Sequence, residues 1–320
     1  MSIITTPAPT TESSASLFFQ LISGKYIPNK LWLSKNFRLK FALRTLAFPV
    51  TTLRYLHQLS RLPDLHQVMG VQGLLPAKPH RPYLRAGISV AARAQAILDH
   101  YQMVGALQNG ALRQLLQSPG DNLLATLEGK NGERFELFSC PGRFDREGEI
   151  TLVLRYQHEV IASLSFSLVQ EAGQRTLLIG GLQGPRKHIS NEVIREATKA
   201  AHGLFPKRIL MEVVARLAQQ CAVEQILAVG DTTHVFRSLR YRHSKRDYFF
   251  ASYSEFWLSL GGEARKDALF LLPLSLPRKA LEDIASKKRA EYRRRYELLD
   301  ALAQQLSAAV GQHEEDQAAA

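Results

Sequence analysis

RTLLIGGLQGPRKHISNEVIREATKAAHGLFPKRILMEVVARLAQQCAVEQILAV, residues 175–229, carries two β-type apolar runs separated by two helical segments. Thr176 to Ile179 reads as a strand that breaks at Gly180-Gly181. Asn191 to Ala201 predicts a helix, with Ser190 or Asn191 as its N-cap and His202-Gly203 as its end. Phe205-Pro206-Lys207-Arg208 opens a second helix, whose inner stripe is Ile209, Leu210, Val213, Val214, Leu217 and Cys221. Gln225 to Val229 then returns as a strand. Strand, glycine turn, helix and strand frame an anion or a nucleotide-like cofactor, because the turn admits close backbone approach and a helix start presents unpaired N–H groups.

Working outward, the hydrophobic period changes on the N-terminal side. Leu123 to Leu127 and Phe135 to Phe138 flank Gly129-Lys130-Asn131-Gly132, a hairpin closed by Asn-Gly. Ile150 to Arg155 and Val160 to Leu168 extend it into an antiparallel meander. The expected fold is therefore α+β: a meander running into a strand-helix-strand unit, with basic helices at both ends. Residues 1–20 read as a disordered N-terminus and 21–118 as a helical region. That region is broken near Pro49 and linked onward through Pro63, Pro76, Pro79 and Pro82. Residues 119–275 form the sheet domain, 276–310 hold a basic helix predicted over Arg278 to Leu306, and 311–320 form a polar, disordered tail.

The chain has 320 residues and a formal net charge of +12, with a pI near 9.8. Such a chain attracts an anionic partner: nucleic acid, an acidic membrane surface or a phosphorylated small molecule. Cys140 and Cys221 are the only two cysteines and have neither disulfide-framework nor zinc spacing. No leader pattern and no apolar run of about 20 residues occurs, so a cytoplasmic setting is expected. Gly24 to Arg61 interleaves Lys25, Lys30, Lys35, Arg38, Lys40, Arg44, Arg54 and Arg61 with apolar residues. It can lie on an anionic membrane face or be an ordinary helix pair with a solvated basic stripe.

Candidate chemistry falls in four places. Asp231 and His234 follow the second strand of the central unit, where open α/β sheets put their sites; they are the acid/base candidates, with helix capping by Asp231 as the alternative. In Pro141 to Glu149, Asp145, Glu147 and Glu149 offer a general base or cation site, or else an exposed turn with local ion pairs; Asp145 is the catalytic candidate. The loop Gly180 to His188 is neither a Walker loop nor a GxGxxG fingerprint, yet Gln183, Gly184 and Arg186 there, with Lys207 and Arg208 downstream, suit an anionic donor. Arg237 to Trp257 interleaves basic and aromatic residues in the manner of single-stranded nucleic-acid binders or of an ordinary amphipathic strand. His100-Tyr101 reads as packing.

Five motifs in one order, PGRFDREGE (141–149), IGGLQGPR (179–186), ATKAAHGLFPK (197–207), YSEFW (253–257) and KKRAEYRRRYELLD (287–300), resemble the VirK/YbjX family of bacterial proteins of unknown function. The resemblance implies a Gram-negative protein, with one branch of the family tied to virulence and antimicrobial-peptide resistance. It draws interest to Asp145, Arg146, Gln183, Arg186, Lys199 and His202 without giving them roles. At the level of fold, the order of elements is similar to the acyl-CoA-dependent N-acyltransferase superfamily (GNAT-like). That likeness implies an acyl or aminoacyl donor, acyl-CoA among them, with Lys207 and Arg208 near its phosphates. This chain departs from that pattern by inserting Gln183 to His202 between strand and helix. The other reading is a non-enzymatic accessory protein that docks through its basic helices on an anionic partner, the inner membrane included.

Overall fold

The computed structural model describes residues 13–62, 65–238 and 253–318. Ser13 and Ser34 cap α1 (Ser14–Ser23) and α2 (Lys35–Ala47), each accepting an N–H three residues on. Pro49 is the first residue of α3 (Pro49–Leu59), so the chain bends at Phe48 between α2 and α3. α4 (Leu65–Val71) and a 3-10 turn at Leu75–His80 lead to α5 (Val90–Gly105), capped by Ser89, and α6 (Gly110–Gln117), capped by Asn109. Trp32 and Tyr55 tie this region together, donating to the carbonyls of Gly73 (2.7 Å) and Leu75 (2.8 Å).

The strands are β1 (Asn122–Glu128), β2 (Arg134–Pro141), β3 (Ile150–Tyr156), β4 (Glu159–Glu171), β5 (Gln174–Gln183), β6 (Gln225–Val229), β7 (Glu263–Ala264) and β8 (Leu269–Leu272). Among the described residues they form one sheet in the order β1-β2-β3-β4-β5-β6-β8-β7. β1 to β5 are an antiparallel meander, β5 and β6 are parallel, and β6, β8 and β7 are again antiparallel. The Asn-Gly hairpin is present, with Gly132 at φ 87°. The crossover from β5 to β6 runs through α7 (Asn191–Ala200) and α8 (Pro206–Gln220). The α+β expectation, a meander entering a strand-helix-strand unit, therefore holds.

β4 is buried continuously from Ile161 to Val169, so both of its faces are covered; α5 and α8 both pack on it. Leu298, Leu299, Leu302 and Leu306 of α10 (Ser286–Ala318) join the same buried cluster as Leu17 and Leu21 of α1. The N-terminal helices and the sheet thus share one core.

Three expectations need correction. Ser14–Ser23 is helical where disorder was expected, because Leu17 and Leu21 find the core; α10 likewise extends past Gly311 to Ala318. The last helix starts at Ser286 and not at Arg278. Arg278 instead pairs with Asp300 at 2.7 Å, and the Lys279 carbonyl accepts the Tyr296 hydroxyl, which folds this segment back along α10. Most important, Gly180-Gly181 is no turn: β5 runs through both glycines to Gln183. A Cβ on Gly180 would lie 2.0 Å from the Glu147 carbonyl oxygen, and one on Gly181 would lie 2.1 Å from Glu147 Oε2. The glycines make room for the loop between β2 and β3, which crosses the sheet at this point.

Candidate functional site

That loop is PGRFDREGE, and it is not an exposed charged turn. Glu147 and Glu149 are buried, at 1% and 2% exposure. Gly148 lies so close to β4 that a Cβ would sit 2.4 Å from the Phe166 carbonyl oxygen. The Leu84 N–H donates to the Arg146 carbonyl at 2.7 Å, fastening the loop from the N-terminal side. Asp145, the predicted catalytic carboxylate, is partly exposed and ion-paired with Arg81 at 2.6 Å.

Glu147 is the centre of one buried group. Its Oε1 accepts from Gln183 Nε2 at 2.8 Å and lies 3.2 Å from His234 Nε2. His234 is wholly buried, and its Nδ1 accepts the Phe236 N–H at 3.3 Å, so the hydrogen of the neutral ring belongs on Nε2, directed at Glu147. Glu147 Oε2 is buried and has no hydrogen-bond partner among the described residues. Two donors therefore fix the carboxylate through one oxygen, while the other is buried against Gly181 with its acceptor capacity unused among the described residues. Gln183 ends β5 and His234 follows β6, so the group sits at the carboxyl ends of the parallel pair, where open α/β sheets leave a crevice.

α9 (Tyr253–Ser259) closes these strand ends. The Leu182 N–H donates to the Tyr253 hydroxyl at 3.2 Å, and the Trp257 indole donates to the Val229 carbonyl at 2.8 Å. Burial and the nearby Glu147 push the Tyr253 phenol well above its ordinary pKa. Asp231 holds the start of α9: its carboxylate accepts the N–H groups of Tyr253 (2.7 Å) and Ser254 (3.4 Å). Its oxygens are thus occupied by a cap. The YSEFW motif is legible as an i, i+4 aromatic pair, but nothing in its spacing shows that both rings reach the ends of β5 and β6. Residues 239–252 of the basic-aromatic stretch lie outside the described residues.

Glu149 anchors a second buried group. Lys78 Nζ donates to its Oε1 at 2.6 Å and the Tyr101 hydroxyl to its Oε2 at 2.8 Å. Burial alone would raise the Glu149 pKa, but Lys78, His100 and these hydrogen bonds hold it below the ordinary carboxylate value. His100 accepts the Leu168 N–H on Nδ1 at 3.1 Å. Burial lowers its pKa to about 4, aided by Lys78 and opposed by Glu149. Unfolded histidine titrates near 6.5, so the stability from neutral His100 is complete above that pH and drains away as the pH falls to 4. The expected loss is up to about 3 kcal/mol. In denaturant melts across this range, His100→Asn, which keeps an acceptor for Leu168, should flatten the curve, leaving the part due to His80, also lowered to about 4 by burial. An unchanged slope would show that His100 is not the titrating group.

The donor candidates are not gathered in one place. Gln183 belongs to the Glu147 group, and Gly184 and Arg186 lie exposed in the loop after β5. Arg208 is paired with Glu212 at 3.4 Å and lines a cleft of about 410 Å³ between the start of α8, α9 and α10, together with Arg278, Lys279, Tyr292 and Arg295. Lys207 is half-buried, and desolvation lowers its pKa. Lys199 and His202 line a separate cleft of about 710 Å³ with Lys130, Tyr156 and Arg294. Among the described residues no cluster of histidine, cysteine, aspartate and glutamate can hold a metal ion. No described helix is long and apolar enough to cross a membrane.

Comparison with known proteins places these features. The model of a family described as "Protein of unknown function (DUF535)" matches residues 30–308. The Escherichia coli K12 "Uncharacterized protein YbjX" is 43% identical over 298 residues, covering 92% of this chain and 90% of the relative. An "Uncharacterized protein" of Haemophilus influenzae is 37% identical over 158 residues, 49% of this chain and 51% of its own. "Membrane protein LapB" of Mannheimia haemolytica is 31% identical over 85 residues, 26% of this chain and 36% of its own. No solved structure matches. With a family match across most of its length and a relative aligned almost end to end, the chain belongs to the DUF535 family, the VirK/YbjX family to which its five motifs point.

Proposed function

We propose that this chain is a group-transfer enzyme that moves an acyl or aminoacyl group from an anionic donor to an amine or hydroxyl acceptor. The observation that carries this reading is the Glu147 carboxylate, buried at the carboxyl ends of β5 and β6, held through Oε1 by Gln183 and His234 and with Oε2 unpaired among the described residues. Glu147 takes the proton that the acceptor N–H or O–H loses as it attacks the donor's acyl carbon; the donor's leaving group departs with the bonding electrons. His234 and Gln183 position that carboxylate. Asp231, as the cap of α9, keeps Tyr253 and Trp257 over the strand ends.

The sequence of strands, a meander entering a parallel pair and closed by an antiparallel hairpin, supports an acyltransferase-like reading. The cleft beside Arg208 offers guanidinium and aromatic groups for the donor's phosphates and base. Calorimetry and thermal shift against CoA, acyl-CoAs, acyl carrier protein and aminoacyl-tRNA test the reading. One donor is expected to bind, and Arg208→Ala is expected to weaken it by about tenfold. No binding across the panel would remove the acyl-transfer reading.

A further inference from the structure

We infer that α2 and α3 form a docking face for an anionic lipid bilayer. This goes beyond the group-transfer reading and does not depend on it.

α2 is apolar on two sides. Inward, it buries Phe41 and Thr45. Outward, Leu39, Leu43 and Leu46, spaced i, i+4 and i+7, form one stripe with exposures of 59%, 56% and 74%. The stripe meets Phe48 at the joint and continues into exposed Val50 and Leu53 of α3, and Leu33 precedes it. A surface helix with its core face already satisfied ordinarily turns charge to water, so a second apolar stripe marks a contact surface.

Charge complementarity selects the occupant. From Ser13 to Leu62 the chain has eight lysines and arginines and no aspartate or glutamate, so about a sixth of the protein carries +8 of the net +12. Lys30, Lys35 and Lys40 are exposed and take part in no ion pair among the described residues. Leucines flanked by unpaired lysines match the acyl boundary and phosphate headgroups of an anionic membrane. A second copy of the chain would bring +8 against +8, and nucleic acid would leave the leucines facing phosphate. α10 is the poorer basic face. Glu291, Glu297 and Asp300 interrupt its cations, and Arg289 and Arg295 are spent on the carbonyls of Ile284 and His202. No described helix spans a bilayer, so the contact is peripheral.

The test uses the full chain and sedimentation with phosphatidylcholine vesicles, with and without phosphatidylglycerol. Binding to the phosphatidylglycerol vesicles is expected, weakened by salt. Two variants separate the terms: Leu43→Asp with Leu46→Asp, and Lys30→Gln with Lys35→Gln and Lys40→Gln. Each should lower the partition coefficient by about tenfold or more with an unchanged melting temperature, since all these side chains are exposed. Both native cysteines are buried. A fluorophore on Leu46→Cys should therefore report the face alone, shifting to the blue only with anionic vesicles. Absence of binding at low salt, equal binding by parent and both variants, or self-association through this face in sedimentation velocity would each overturn the inference.

Discussion

Replacing Lys78 with methionine is expected to lower the free energy of unfolding by about 3–5 kcal/mol, because it strands Glu149 as an uncompensated buried charge. Lys78 and Glu149 have side-chain exposures of 2% and 1% and lie 2.6 Å apart. Tyr101 satisfies the other carboxylate oxygen, so the group is complete only as a triad. Changing both charges, Lys78→Met with Glu149→Leu, should restore much of the loss, since a well-packed apolar pair avoids both desolvation penalties. Urea melts of the two variants distinguish a buried pair from an incidental contact; a single variant within about 1 kcal/mol of the parent would mean that Glu149 reaches water. The sign with pH is also fixed. Glu149 is held below its ordinary value near 4.5, so its contribution is present above that value and is lost as the pH falls through its folded pKa.

Glu147→Gln is expected to reduce kcat for group transfer by about 10²–10⁴-fold while leaving donor affinity unchanged. Glutamine keeps the shape and the oxygen that meets Gln183 and His234 but presents an amide where the acceptor carboxylate oxygen was. Asp231→Ala supplies the contrast. It removes the cap of α9 and should cost about 1 kcal/mol of stability with a much smaller effect on kcat. Steady-state kinetics with the donor identified by calorimetry decides between them. Should Glu147→Gln turn over as fast as the parent and Asp231→Ala fail, the proton acceptor would be Asp231.

The Asn-Gly hairpin, the meander and the crossover from Thr176 to Val229 were all legible as runs of apolar period and turn chemistry, since each depends on neighbours within a few residues. So was the helix opened by Phe205-Pro206. The site was only partly legible. His234 and Gln183 were singled out and do meet, across Glu147. Asp145 was preferred over Glu147 although the two stand two residues apart in the same motif. Residue type could not separate them, because the difference is burial: Asp145 faces Arg81 at the edge, while Glu147 lies against Gly181.

The chain by itself determined the class of fold, the order of its elements and the family, because periodicity, capping residues and motif order are local. It also determined the unbroken positive charge of Ser13 to Leu62. Only the tertiary structure decided what Gly180-Gly181 are for. Glycine pairs read as turns, and the reason for this pair is Glu147, whose backbone carbonyl meets Gly180 and whose carboxylate meets Gly181 from a loop more than 30 residues earlier. Only the tertiary structure could bury Glu149 against Lys78, 71 residues away, or turn Asp231 into the cap of a helix that begins 22 residues later. A charge is tolerable in a core only when its partner is already there, and sequence separation does not say which partner that will be.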